Sequence, residues 1–174
     1  MLRLRAPGLK IVLRDGEAGD GRYGREHVLA RGHTRAIGIE LTANGTPAAS
    51  ALVIVPMGTP GVHERCAMTR DDALILACGG EVVAFSLPGL DLLWRAEADP
   101  ACIFGLHPVP GEGAVLAHGE QAITRVEPDG SVAWTQWGKD IFTGELHLRG
   151  EAMEVTDWNG KPYRFHLVDG TPLP

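Results

Sequence analysis

The sequence has 174 residues, enough for one domain with a single core, and its 44% apolar and 22% charged content is typical of a globular protein. No window approaches the roughly 20 apolar residues of a membrane span, and the start has no apolar segment of signal-peptide length, so we expect a cytoplasmic protein without membrane contact. The net charge of −6 comes from residues 71–174, which hold six Lys/Arg against sixteen Asp/Glu, and this acidity argues against nucleic acid and suits a basic protein partner.

Turn-forming residues and cysteines narrow the fold class further. The 23 Gly and 12 Pro predict many turns and therefore short strands rather than long helices. Cys66, Cys78 and Cys102 are odd in number and lack a paired metal spacing, which disfavours a disulfide-stapled module. We expect three reduced thiols, mostly buried.

The N-terminal part contains fewer recognisable elements than the rest. Within residues 1–26, LKIVLRD predicts a strand and the Gly-rich stretch GEAGDGRYG is typical of a loop. The segment VLARGHTRAIGIELTANGTP follows, with an Ile-rich strand and Asn44-Gly45 as its turn. An insertion, VPMGTPGVHERCAMTRDD, separates it from the next unit.

The central part of the sequence predicts β-strands throughout. ALILAC is a continuous apolar run suited to a strand buried on both faces, and EVVAFSL follows it after the turn Gly79-Gly80. LDLLWRAEA and CIFGLHPV complete a set of four short strands. Helical periodicity is absent from windows of eleven or more residues, so the sequence predicts an all-β fold.

A shift of 40 residues brings several positions into coincidence. The coinciding pairs are Ala77 with Ala117, Gly79 with Gly119, Pro88 with Pro128, Trp94 with Trp134, and Asp129-Gly130 with Asp169-Gly170. A period near 40 is typical of a propeller blade. The repeat predicts antiparallel, blade-like units at about residues 27–55, 62–100, 101–140 and 141–174, with Trp94 and Trp134 as wedges between neighbouring sheets.

The unit GGEVVAFSLPGLDLLWRAE resembles the repeat of pyrroloquinoline-quinone-type (PQQ-type) β-propellers, in which Gly-x-Val-x-Ala-Leu/Phe-Asp precedes a Gly turn and an apolar-Trp pair. The resemblance covers about 130 residues and implies a small or partial propeller, or a half that completes itself as a homo-oligomer. It does not extend to the quinone and calcium site of the catalytic members. We therefore expect a non-catalytic branch with no cofactor and no metal.

Turn positions that vary among the units are candidate binding residues. The residue at the tight turn between the two central strands reads Cys78, His118 and Trp158, with Arg31 in the upstream copy. These side chains are expected to project from one rim and form a recognition surface, or to vary because turns tolerate change. WTQWGKDIF and TDWNGKPYRF add Trp137 and Tyr163 beside lysines, although Trp137 could instead fill the core.

Two function classes follow from these residues. The first is a non-enzymatic protein-binding module, such as an adaptor or a toxin-neutralising immunity-type protein, that uses Arg31, His118, Trp158, Trp137 and Tyr163. The second is a small hydrolase or lyase, because His107 and His147 occupy equivalent places in strands that could line an axial channel. No phosphate loop, dinucleotide fingerprint or nucleophile motif accompanies them, so the first class is the better supported.

Overall fold

The computed structural model describes residues 1–16 and 21–174. Every secondary-structure element in that part of the chain is a β-strand, which confirms the predicted all-β class. Sixteen strands there form four sheets that follow one another along the chain. Residues 17–20, which belong to the predicted loop GEAGDGRYG, lie outside the described residues.

The first sheet is larger than the upstream unit predicted from residues 27–55. Its strands are β1 (Leu2–Ala6), β2 (Leu9–Gly16), β3 (Arg25–Val28), β4 (Thr34–Ala43) and β5 (Thr46–Pro56), in the order β1-β2-β4-β5-β3. The LKIVLRD strand, β2, joins it by pairing with β4, and only β3 is parallel to its neighbour. Asn44 and Gly45, both with positive φ, form the predicted turn between β4 and β5.

The other three sheets are consecutive antiparallel meanders. The second contains β6 (Ala67–Arg70), β7 (Ala73–Cys78), β8 (Glu81–Ser86) and β9 (Leu92–Glu97). The third contains β10 (Ile103–Pro108), β11 (Val115–Gly119), β12 (Ala122–Val126) and β13 (Val132–Trp137). The fourth contains β14 (His147–Arg149), β15 (Ala152–Thr156) and β16 (Pro162–His166). The chain reverses at the predicted turn Gly79-Gly80, at Glu120-Gln121 directly after Gly119, at Asp129-Gly130 and at Asn159-Gly160.

Apolar layers fill the spaces between successive sheets. In β7, Leu74 and Leu76 pack toward the first sheet, whereas Ile75 and Ala77 pack toward the third. Side chains of a strand alternate between faces, so the unbroken apolar run ALILAC supplies two layers at once. Another layer, with Leu116 on one side and Met153 on the other, joins the third and fourth sheets.

Tryptophan wedges hold one sheet against the turn of the next. Trp134 is 9% exposed, and its Nε1 donates to the carbonyl oxygens of Leu167 and Val168 at 3.2 and 3.1 Å. A Cβ on Gly170 would lie 2.7 Å from the Trp134 ring, and one on Gly130 would lie 2.7 Å from the half-buried Trp94 ring. Each indole therefore packs on the Asp-Gly turn of the next sheet. The predicted burial between sheets is confirmed for Trp134, whereas Trp94 is only half-buried.

The outer faces of the first and last sheets carry charged side chains that form ion pairs. On the last sheet Glu154 pairs with both Arg149 and Arg164, at 2.9 and 3.1 Å. On the first, Arg14 lies 3.5 Å from Glu40. The C-terminal segment folds back on β16, where Leu173 donates its N–H to the carbonyl of Arg164. The outer face of the last sheet is therefore solvated, whereas that of the first also carries a small buried cluster of Ala36, Leu52 and Ile54 with Tyr23 packed against it.

Candidate functional site

Turns and inter-sheet connections meet along one edge of the stack. Gly80 of the second sheet accepts the N–H of Ala98 at 2.9 Å, from the connection that follows β9. In the third sheet, Glu120 accepts the N–H of Phe142 at 2.7 Å, from the connection that follows β13. In both sheets, a backbone hydrogen bond thus joins the turn between the two central strands to the segment that leads into the next sheet. These bonds fix the backbone along this edge.

A buried carboxylate, Asp99, holds this edge between the second and third sheets. Its Oδ1 accepts the N–H groups of Ala101 and Cys102 at 2.7 and 3.1 Å, and its Oδ2 accepts those of Gln121 and Ala122 at 2.7 and 2.8 Å. Sequence reasoning missed this residue because acids are frequent after residue 71. The signal was the Asp-Pro pair directly after β9, which is typical of a turn in which the carboxylate binds nearby backbone.

Two exposed indoles lie on adjoining segments of the same edge. Trp137, at the end of β13, is 56% exposed and Trp158, in the turn after β15, is 71% exposed. The main-chain N–H of Trp158 donates to the carbonyl of Ile141 at 2.8 Å. Asn159 Nδ2 also donates to Asp140 Oδ2 at 2.7 Å. We call residues 137–141 and 157–161 the tryptophan rim.

Tyr163 forms hydrogen bonds with both segments of the tryptophan rim. Its half-buried hydroxyl donates to Asp157 Oδ2 and accepts the N–H of Lys139, both at 2.9 Å. Lys161 Nζ lies 5.0 Å from the centre of the Tyr163 ring. Although burial opposes ionisation, hydrogen bonds from the N–H of Lys161, the Tyr163 hydroxyl and the N–H of Asn159 lower the pKa of Asp157. Tyr163 therefore positions the tryptophan rim and presents little surface of its own.

Other residues predicted for the binding rim lie elsewhere. His118 and Cys78 are buried, because β11 and β7 extend through these positions and strand alternation directs their side chains inward. The expectation that His118 projects from a rim is therefore wrong. Arg31 is exposed, but in the connection between β3 and β4 of the first sheet, whereas Trp158 belongs to the fourth.

His118 instead shares a pocket with His107. This pocket of about 410 Å³ is lined by Arg65, Phe104, Gly105, His107, His118, Thr143, Gly144 and Glu145. The two imidazole centres are 6.0 Å apart, and His147 is exposed beside a different pocket. His107 and His147 therefore line different pockets, although His147 lies near enough to influence the pKa of His107. Within residues 1–16 and 21–174, no three His, Cys, Asp or Glu side chains are arranged to hold a metal ion.

The pocket keeps both imidazoles neutral at pH 7. Burial, followed by Arg65 and His147, lowers the pKa of His107 to about 4. Burial, followed by His107 and Arg65, lowers the pKa of His118 to about 4. Desolvation penalises the imidazolium form, and a nearby guanidinium repels it.

These shifts predict that acid destabilises the fold before the carboxylates titrate. The pKa of His118 falls from 6.5 in its unperturbed state to about 4 in the folded state, so the unfolded chain binds more protons between these values. The stabilisation is complete above pH 6.5 and is lost as the pH falls toward 4. We expect His118→Phe to reduce the slope of unfolding free energy against pH by on the order of 1 kcal/mol per pH unit. Urea unfolding at pH 4.5, 5.5 and 7 measures it, and parallel slopes would contradict it.

The cysteines offer no activated nucleophile. All three are free, and Cys66 and Cys78 are buried. Burial raises the pKa of both thiols. Burial, together with hydrogen bonding to Glu120, raises the pKa of Cys102 to about 11. The thiolate is the reactive form of cysteine, so these residues are mainly protonated at neutral pH.

Comparison with known proteins identifies the architecture. No protein-family model matches the chain, and no curated protein is similar to it in sequence. The structure of BamB from Moraxella catarrhalis is similar, with a TM-score of 0.59 at 12% identity over 100% of this chain and 60% of that chain. The fold is β-propeller-like.

Two computationally designed proteins share this propeller-like fold. Ika8 has a TM-score of 0.58 at 9% identity, over 99% of this chain and 59% of that one. Ika4 has a TM-score of 0.54 at 12% identity, over 82% of this chain and 89% of that one. The chain thus spans about 60% of the length of BamB and Ika8. In the described part of the chain, no helix has the length and apolar character needed to cross a membrane.

Proposed function

We propose that this chain is a non-enzymatic protein-binding module, of the adaptor or immunity type, and that it binds its partner through the tryptophan rim. The proposal includes PQQ-like repeats in a few-bladed arrangement and a cytoplasmic location. One observation carries it: Trp137 and Trp158 are exposed by 56% and 71% on segments that hydrogen bonds join. The alternative, a hydrolase or lyase with His107 and His147 in one channel, is less well supported, because the two side chains line different pockets.

Exposed indoles on a fixed backbone are well suited to association. A tryptophan buries a large apolar area when a partner covers it, and such residues contribute a disproportionate share of interface energy. The bonds between Trp158 and Ile141 and between Asn159 and Asp140 order the backbone before binding. Because less conformational entropy is then lost on association, more of the burial energy appears as affinity.

The groove beside Trp137 favours a basic partner. It has a volume of about 590 Å³ and is lined by Trp137, Thr135, Glu81 and Glu97, together with the connection after β9. Glu81 pairs with Arg95, whereas Glu97 makes no ion pair within residues 1–16 and 21–174. A segment that places Lys or Arg beside an apolar side chain would match Glu97 and the indole. The electrostatic attraction between such a basic segment and Glu97 should weaken as ionic strength rises.

The test is the affinity of rim variants for a partner isolated with the wild-type chain. Trp158→Ala should weaken binding by about 2 kcal/mol, or roughly 30-fold in Kd, while leaving the melting temperature nearly unchanged. Leu93→Ala is the matched control, because Leu93 is 53% exposed on β9 and lies outside the tryptophan rim. Calorimetric titration measures all three proteins. Equal affinity of Trp158→Ala and wild type would contradict the proposal.

A further inference from the structure

The pocket around His107 and His118 contains polar groups that the fold leaves unused. The two residues are 7% and 6% exposed, and both Nε2 atoms are buried with no hydrogen-bond partner. Buried polar atoms are satisfied in most proteins, so two orphaned nitrogens in one pocket call for a physical explanation. A neutral imidazole with its proton on Nε2 is a hydrogen-bond donor at that atom. The two rings can therefore offer two donors to one ligand.

Arg65 adds a third donor group, and the backbone holds it there. Its carbonyl accepts the N–H of Leu106 at 2.8 Å, which fixes the Arg65 main chain beside β10. Gly105 permits this approach, because a Cβ there would lie 3.1 Å from the Cβ of Arg65 and 3.6 Å from His107 Nε2. The guanidinium makes no ion pair within the described residues, although it influences the pKa of both His107 and His118.

The charges that line the pocket select the kind of ligand. Arg65 is cationic and Glu145 is anionic, and the two line the same pocket without forming an ion pair in the described part of the chain. With neutral imidazoles, the lining has no net charge, so hydrogen-bond donors rather than long-range attraction must supply the binding energy. A planar monoanion with two acceptor oxygens matches a guanidinium and two imidazole N–H groups better than a dianion that Glu145 repels.

We propose that this pocket binds the carboxylate of a small organic acid, with Arg65, His107 and His118 as donors to its oxygens. The body of the acid extends toward Thr143 and Glu145, which line the rest of the roughly 410 Å³. This site is separate from the tryptophan rim and does not depend on the protein-binding proposal. It uses Arg65, which lies in the insertion between the first two sheets and has no equivalent position in the other repeat units.

The test is an NMR titration of this chain with isotopically labelled imidazoles. Sodium acetate is added at pH 7.5 against a sodium chloride reference of equal ionic strength. We expect saturable shifts at His107 and His118 and none at the exposed His33. Inorganic phosphate, mostly a dianion at this pH, should bind more weakly. Tighter phosphate binding would overturn the carboxylate assignment, and shifts no larger than those with chloride would overturn the site.

Two substitutions with opposite expected effects sharpen the test. Arg65→Met should weaken acetate binding about ten-fold, since it removes a charged donor. Glu145→Gln should strengthen it several-fold, because it removes the opposing charge. Arg149→Met, an exposed arginine on the last sheet, should leave acetate affinity unchanged. Equal effects of Arg65→Met and Arg149→Met would refute the proposal, and so would a Glu145→Gln variant that binds acetate no more tightly.

Discussion

Replacing Trp134 with Ala should destabilise the protein by about 3–5 kcal/mol, as expected when a large aromatic side chain is removed from a core. The indole is 9% exposed, packs over Gly170 and donates to two carbonyls of the fourth sheet. Its loss opens a cavity between the third and fourth sheets and removes one donor from each carbonyl, although the carbonyl of Leu167 still accepts a hydrogen bond from Arg125 Nη1. For a chain of this length, the melting temperature should fall by roughly 10 °C.

Trp137→Ala is the matched control for this result. Trp137 lies on the same strand, three residues away, but is 56% exposed. Its removal should change the unfolding free energy by less than about 1 kcal/mol. Thermal and urea unfolding of both variants measure the difference. If Trp134→Ala melted as the control does, Trp134 would not be the wedge between these sheets.

Asp99→Asn should cost about 3 kcal/mol, although the side chain keeps its shape. The carboxylate accepts four backbone N–H groups, two at each oxygen. The amide keeps one oxygen and turns an NH₂ group toward two N–H donors, which lose their acceptor and face another donor. The connection after β9 and the turn between β11 and β12 should loosen together.

An exposed aspartate provides the comparison for Asp99→Asn. Asp129 accepts the N–H and the hydroxyl of Ser131 in an exposed turn, where water can replace the lost bonds. Asp129→Asn should therefore change stability by less than about 1 kcal/mol. Hydrogen exchange should also show faster exchange at the N–H groups of Gln121 and Ala122 in Asp99→Asn. Equal stability losses in the two variants would contradict the role assigned to Asp99.

The repeated part of the fold could be predicted because its signals are local. Gly79-Gly80 and Asn159-Gly160 are turn dipeptides, and ALILAC is an apolar run that fits a strand buried on both faces. The coincidence of Trp94 with Trp134 at a shift of 40 residues also located the wedges. These patterns express contacts made within a unit or with the next one.

Features that depend on distant residues could not be predicted in the same way. The parallel pairing of β3 with β5 joins segments separated by β4, and the sequence of neither strand indicates this pairing. The repeat aligns His118 with Cys78 and Trp158 and so predicts a turn there, but β11 continues through His118 and Gly119. Arg125 lies almost fully buried in β12 between Glu112 and Glu127, and a charged residue in an apolar run gives no sign of such partners.

The central claim is that the tryptophan rim is the surface that binds a protein partner, and amide hydrogen exchange of the complex tests it most directly. On binding, protection should rise at the backbone of residues 137–141 and 157–161 and in the adjoining groove near Glu97. Residues 104–107 beside His107, and the turn at Asn44-Gly45, should exchange as they do in the free chain. Protection confined to those other places, with the tryptophan rim unchanged, would contradict the account.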